Sequence, residues 1–138
     1  MIESLIPHAG SMCLLERVIE WDAEHIVLAT ATHRSSTNPL RSGGRLRALH
    51  LCEYGAQAMA VHGGLIARAA GKVAQPGFLV SLRDVQLNRE YVDDLSGELT
   101  VRAERLMESL GSWQYRFAVS HDSELLAEGR AAVIARSA

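Results

Sequence analysis

Residues 49–67 read LHLCEYGAQAMAVHGGLIA, and Glu53 is the one side chain among them with a full charge at pH 7. At helical spacing, Leu49, Cys52, Ala56, Met59 and Gly63 form one stripe, and His50, Glu53, Gln57, Ala60 and Gly64 form its neighbour. Both stripes are poor in charge, so the pattern predicts a helix over about 47–70 that is buried on most sides. Gly55, Ala56, Ala58, Ala60, Gly63 and Gly64 let other backbones come close, and Gly71 supplies a stop. Arg45 and Arg47 precede the run, and Arg68 and Lys72 follow it. A carboxylate alone in such a segment is costly to bury unless it has partners or a task.

On either side of the helix the period changes to that of strands. Upstream, MCLLERVIEW (12–21) alternates in part, Asp22-Ala23-Glu24 forms a turn, and HIVLATATH (25–33) is β-branched. The two runs predict a hairpin. Residues 34–45, RSSTNPLRSGGR, are a loop long enough to suspect of function, with a plain solvated loop as the alternative. Downstream, strands are expected in 77–92, 99–107, 113–120 and 125–135, separated by DDLSGE, ESLGS and HDSE. Two strands, one long helix and three or four antiparallel strands make one α+β domain over 1–138. A sheet of five or six strands wrapped around a central helix satisfies that order. A doubly wound fold does not, because strands and helices fail to alternate.

Composition sets limits on function. With 138 residues, 48% apolar and 22% charged, the chain suits one core. A net charge of −2 gives no reason to expect nucleic acid or an anionic membrane. Cys13 and Cys52 sit in apolar stretches without metal-ligand spacing, which suits reduced thiols and a cytoplasmic location. The opening MIESLIPHAG does not read as a signal peptide, having no basic region followed by a long apolar run, and Glu53, Gln57, His50 and His62 argue against a membrane span.

Glu53 reads as a general acid/base in a low-dielectric site, or as a core glutamate satisfied by a partner such as Arg83. Gln57, one turn on, can donate to that carboxylate or to a substrate. His50 lies within reach of Glu53, or caps the helix. His62, nine positions on, falls on the opposite face. His8 follows Pro7 in the N-terminal arm, His33 closes a strand beside the loop, and His25 and His121 adjoin turns. No pair of histidines has zinc spacing. Cys52 has no evident activating base and reads as a core thiol.

Three segments carry a family resemblance. The arm IPHAGSMCLLERV resembles an opening in which a Pro-His pair precedes an apolar strand ending in an acidic-Arg pair, here Glu16-Arg17. CEYGAQAMA resembles a Glu-x-x-Ala-Gln helix, and GFLVSLRDVQL resembles the strand after it. Together they are similar to the hotdog-fold 3-hydroxyacyl-[acyl-carrier-protein] dehydratases, above all to the branch found in aryl-polyene-type lipid gene clusters. The resemblance implies a dimeric hotdog fold acting on an acyl carrier protein or CoA thioester, with no metal and no cofactor. Glu53 takes the place of the acid/base carboxylate and Gln57 that of its supporting glutamine. Substrate contacts fall to Asn38, Pro39, Phe78 and the helix N-terminus at Ala48 and Leu49, whose amides would serve as an oxyanion hole. Arg34, Arg41, Arg45 and Arg47 are candidates for carrier or CoA binding, with solubility as the alternative. One position departs from the pattern. The family's catalytic histidine lies in the loop before the helix, where this chain reads Thr37-Asn38-Pro39-Leu40. His33 or His8 would fill the vacant role, or a partner subunit would supply it in a heterodimer. Otherwise the chain is a non-catalytic hotdog subunit paired with an active dehydratase, or an acyl thioesterase on the same scaffold.

Overall fold

In the computed structural model, residues 2–5, 10–72, 77–109 and 111–135 are described. Among the described residues are six strands and one α-helix: β1 Arg17–Trp21, β2 His25–Thr30, α1 Leu51–Ala69, β3 Gly77–Leu87, β4 Leu99–Ser109, β5 Ser112–His121 and β6 Glu124–Ala135. The strands form one sheet in the order β1-β2-β4-β5-β6-β3, and every neighbouring pair is antiparallel. The predicted architecture is the observed one: a hotdog, with a curved sheet wrapped around α1.

Alternation along the strands builds the core. Ile26 and Leu28 of β2, Val101 and Ala103 of β4, and Tyr115, Phe117 and Val119 of β5 are buried and face α1. The register sets Val101 opposite Val119 and Ala103 opposite Phe117. From the helix, Leu51, Tyr54, Ala58, Met59, Val61 and Leu65 fill the other side. The small helix residues act as expected at one point above all: a Cβ on Gly55 would lie 2.5 Å from the Phe117 ring. Gly129 of β6 bounds the same ring, at 2.8 Å from an added Cβ.

The helix begins differently from its prediction. Ala48–His50 form a 3-10 turn that runs into α1 at Leu51, and Gly71 ends it with φ of +71°. A larger difference lies in 12–21, where only Arg17–Trp21 is strand and Gly10–Met12 is a 3-10 turn. Leu14 and Leu15 are both buried, which a two-sided strand does not allow on one core face. Side chains bind the Leu14 backbone instead: Gln57 Oε1 accepts from its N–H at 2.9 Å, and the Thr30 and Thr32 hydroxyls donate to its carbonyl at 2.6 Å each. The second strand stops at Thr30, and Thr32–Arg34 turns as a 3-10 helix that buries His33. β3 ends at Leu87 rather than 92, and β4 continues to Ser109.

Candidate functional site

Glu53 lies in the first turn of α1 and is half-buried. Gln57 is fully buried on the same face. Its Nε2 donates to the Met12 carbonyl at 2.7 Å and approaches Glu53 Oε1 at 3.5 Å. Since Oε1 is taken by Leu14 N–H, the amide clamps the arm to the helix and leaves only the longer contact for the carboxylate. The arrangement fixes Gln57 and holds a carboxylate at the junction of helix, arm and loop. It has the ingredients of an acid/base site: a half-buried carboxylate with an oriented hydrogen-bond donor beside it.

Beside Glu53, Tyr54 is buried with its hydroxyl in a network that spacing alone did not reveal. Thr32 Oγ1 donates to Leu14 O, so Tyr54 Oη donates to Thr32 Oγ1 at 2.8 Å and accepts from Asn38 Nδ2 at 3.0 Å. Asn38 Nδ2 also donates to Thr32 O at 2.9 Å, and its Oδ1 accepts from Leu40 N–H. Burial pushes the Tyr54 hydroxyl pKa up, so it remains a neutral donor. Asn38, within the Thr37–Leu40 stretch where the expected histidine is missing, is therefore buried and engaged inside the chain. Neighbouring Pro39 is exposed.

His33 is fully buried, and its Nε2–H donates to the Leu95 carbonyl at 2.8 Å. Burial holds its pKa below the ordinary imidazole value, with Arg34, His121 and Arg41 adding to the effect. Its Nδ1 finds no hydrogen-bond partner. His8 lies outside the described residues. His50 is half-buried at the end of the 3-10 turn. His62 lies across the helix, where Nε2–H donates to Asp22 O and Nδ1 accepts from Tyr115 Oη, each at 2.7 Å. Arg83, the alternative core partner for Glu53, is exposed on β3 opposite Arg130 and so turns away from the helix.

Of the two candidate oxyanion amides, Ala48 N–H is already bonded to Glu90 O at 2.9 Å. Leu49 is exposed. Phe78 lies within β3, and its side chain is outside what is described. The four loop arginines do not act as a set. Arg45 is paired with Asp93 at 3.0 Å and lies 4.1 Å over the Tyr91 ring. Arg41 donates to Gly44 O and His33 O. Arg34 and Arg47 are exposed, with Arg47 5.7 Å from the Tyr91 ring centre. Burial pushes the Cys52 thiol up, which suits an unreactive thiol. Among the described residues, no group of three His, Cys, Asp or Glu is placed to hold a metal ion, and no helix is long and apolar enough to cross a membrane.

One long helix packed against a six-stranded antiparallel sheet places the chain in the class of hotdog proteins. Among hotdog proteins the chain belongs to the ApeP-like family, described as ApeP dehydratase, which matches residues 1–137. Among solved structures it is similar to the dehydratase heterocomplex ApeI:P from Xenorhabdus doucetiae, with 21% identity, coverage of 99% of this chain and 91% of that one, and a TM-score of 0.88. A hypothetical thioesterase with coenzyme A from Streptococcus pneumoniae is 10% identical over 88% of this chain and 85% of that one, with a TM-score of 0.63. The E. coli PaaI protein of the phenylacetic acid degradation operon is 13% identical over 85% and 80%, with a TM-score of 0.61. At these identities the likeness shows the fold. No curated protein matches the chain.

Proposed function

We propose that the chain is a dehydratase subunit acting on 3-hydroxyacyl thioesters of an acyl carrier protein or CoA, in lipid biosynthesis of the aryl-polyene type. The observation that carries this reading is the half-buried Glu53 carboxylate, 3.5 Å from Gln57 Nε2 on the central helix of a chain in a dehydratase family. In the elimination, a base takes the proton from C2, the C3–O bond breaks, and the hydroxyl leaves as water with a proton from an acid. A C2=C3 double bond remains, with no change in net oxidation state. Glu53 supplies one of those two proton transfers.

The other group comes from a second hotdog chain. Four observations support that reading. Asn38 lies in the loop stretch in question, with its amide consumed by Tyr54, Thr32 and Leu40. His33 is sealed in the core. The β3 edge exposes Leu79, Val80 and Leu82, a surface suited to a further strand. The relative from X. doucetiae is described as a heterocomplex.

The test is to purify the chain alone and with a second hotdog subunit and to follow hydration of a trans-2-enoyl thioester. Glu53→Gln should lower the rate of the complex by about 10²–10⁴-fold while the complex still forms. If Glu53→Gln matches wild type while a carboxylate substitution in the partner abolishes turnover, the chain is a non-catalytic subunit. Release of free thiol without enoyl formation would make it a thioesterase.

A further inference from the structure

The outer face of the sheet carries a feature that the proposed reaction does not use. Strand register sets Arg116 of β5 directly opposite Arg130 of β6, and Arg130 directly opposite Arg83 of β3. All three point away from the helix, because Tyr115, Phe117, Gly129 and Ala131 between them are buried inward. Like charges directly opposite across strands destabilise a sheet. Among the described residues, five arginines elsewhere are paired with carboxylates: Arg17–Glu98, Arg45–Asp93, Arg89–Asp94, Arg102–Glu104 and Arg105–Glu108. Among the described residues, Arg83, Arg116 and Arg130 make no side-chain ion pair or hydrogen bond, although the chain holds 16 acidic residues.

The surroundings give the row a direction. On one side lie Gln114, Ala132 and Ser81, again in register and all uncharged. On the other side Glu128 stands next to the row, opposite Ala118, and Glu104 of β4 closes the row at its β5 end, directly opposite Arg116. A shallow hollow of about 220 Å³ opens beside Arg116, between Arg102, Glu104, Phe117 and Ala118. Strands are about 4.8 Å apart, so the three guanidinium groups span about 10 Å in a straight line across them. Carboxylates at i, i+4 and i+7 of a helix rise over about 10.5 Å on one face.

We propose that this row docks an acidic helix of a partner protein, laid across β5, β6 and β3 over the Gln114–Ala132–Ser81 shelf, with Glu128 keeping it off the other side and Glu104 marking where the row ends at β4. The match is of sign and of spacing, and arginine suits bidentate carboxylate contacts. The site is separate from Glu53, on the opposite face of the sheet from the helix.

The probe is a synthetic helical peptide with three glutamates on one face, compared with a peptide of the same composition and helicity whose glutamates are scattered around the helix. At 0.15 M salt, the first should bind wild type about tenfold or more tighter than the second, and Arg83→Gln/Arg116→Gln/Arg130→Gln should lose about tenfold or more of that affinity. The triple variant should unfold at or above the wild-type temperature, since the change removes repulsion; Arg116→Gln alone, losing part of the affinity, serves as the check if the triple variant folds poorly. Equal binding of the two peptides, or unchanged binding by the folded variants, overturns the proposal. So does sedimentation showing that the row is covered by a second copy of the chain.

Discussion

Gln57 serves two partners at once. Its amide bonds the backbone of Met12 and Leu14, and its Nε2 still reaches toward Glu53. Glu53 and Gln57 were legible as a pair because a lone charge and a lone amide stand one turn apart in an apolar helix. The clamp on the arm was not legible, since it engages backbone atoms that leave no mark in residue identity. Asn38 illustrates the same limit. Its position marked the departure from the family pattern, yet its engagement by Tyr54 and Thr32 depends on a loop path that composition does not specify. Asn38→His should therefore not restore a loop acid/base. It should lower stability by about 1–3 kcal/mol in urea unfolding, because an imidazole cannot reproduce two N–H donations and one acceptance at that buried site.

At the scale of elements, the Phe117 ring separates α1 from β6, with Gly55 on one side and Gly129 on the other. Helix propensity favours Gly55→Ala by about 1 kcal/mol. Packing opposes it, because the new Cβ would sit 2.5 Å from ring carbons on a ring that Gly129 already bounds. Overpacking costs about 1–3 kcal/mol, so Gly55→Ala should lower the unfolding midpoint despite its better propensity. Combining it with Phe117→Leu should recover part of the loss, as a thermal melt would show. The glycines of the helix could be read as places of close approach, but not the ring that approaches. Strands β4, β5 and β6 were legible from clean alternation. The segment from 12 to 16 was misread because side chains of Gln57, Thr30 and Thr32, which its own partial alternation does not reveal, take the Leu14 backbone bonds that a strand partner would make.

For the whole molecule, two buried imidazoles set a pH response. Burial holds both His33 and His62 below the ordinary value of 6.5. Arg34, Arg41 and His121 bear on the first, and Arg105, Asp22 and His25 on the second. The folded state thus binds fewer protons than the unfolded chain, and stability present above pH 6.5 is lost as pH falls below it. The lowered Asp22 and Asp93 carboxyls act in the same direction but only near their ordinary 3.8, well below that window. Urea unfolding should show a falling midpoint from pH 7 to pH 5, with a shallower slope in His62→Gln than in wild type.

The strand order also has a consequence in time. β3 leaves the ribosome directly after the helix, yet its neighbour in the sheet is β6, the last strand to be made. At about 5–20 residues per second, Gly77–Leu87 waits several seconds for Glu124–Ala135 to emerge. Through that interval a strand bearing Leu79, Val80 and Leu82 has neither of its edges paired within its own chain. A partner made nearby at the same moment would meet this strand while both sides are open, so the order of synthesis itself favours assembly with a chain encoded close by.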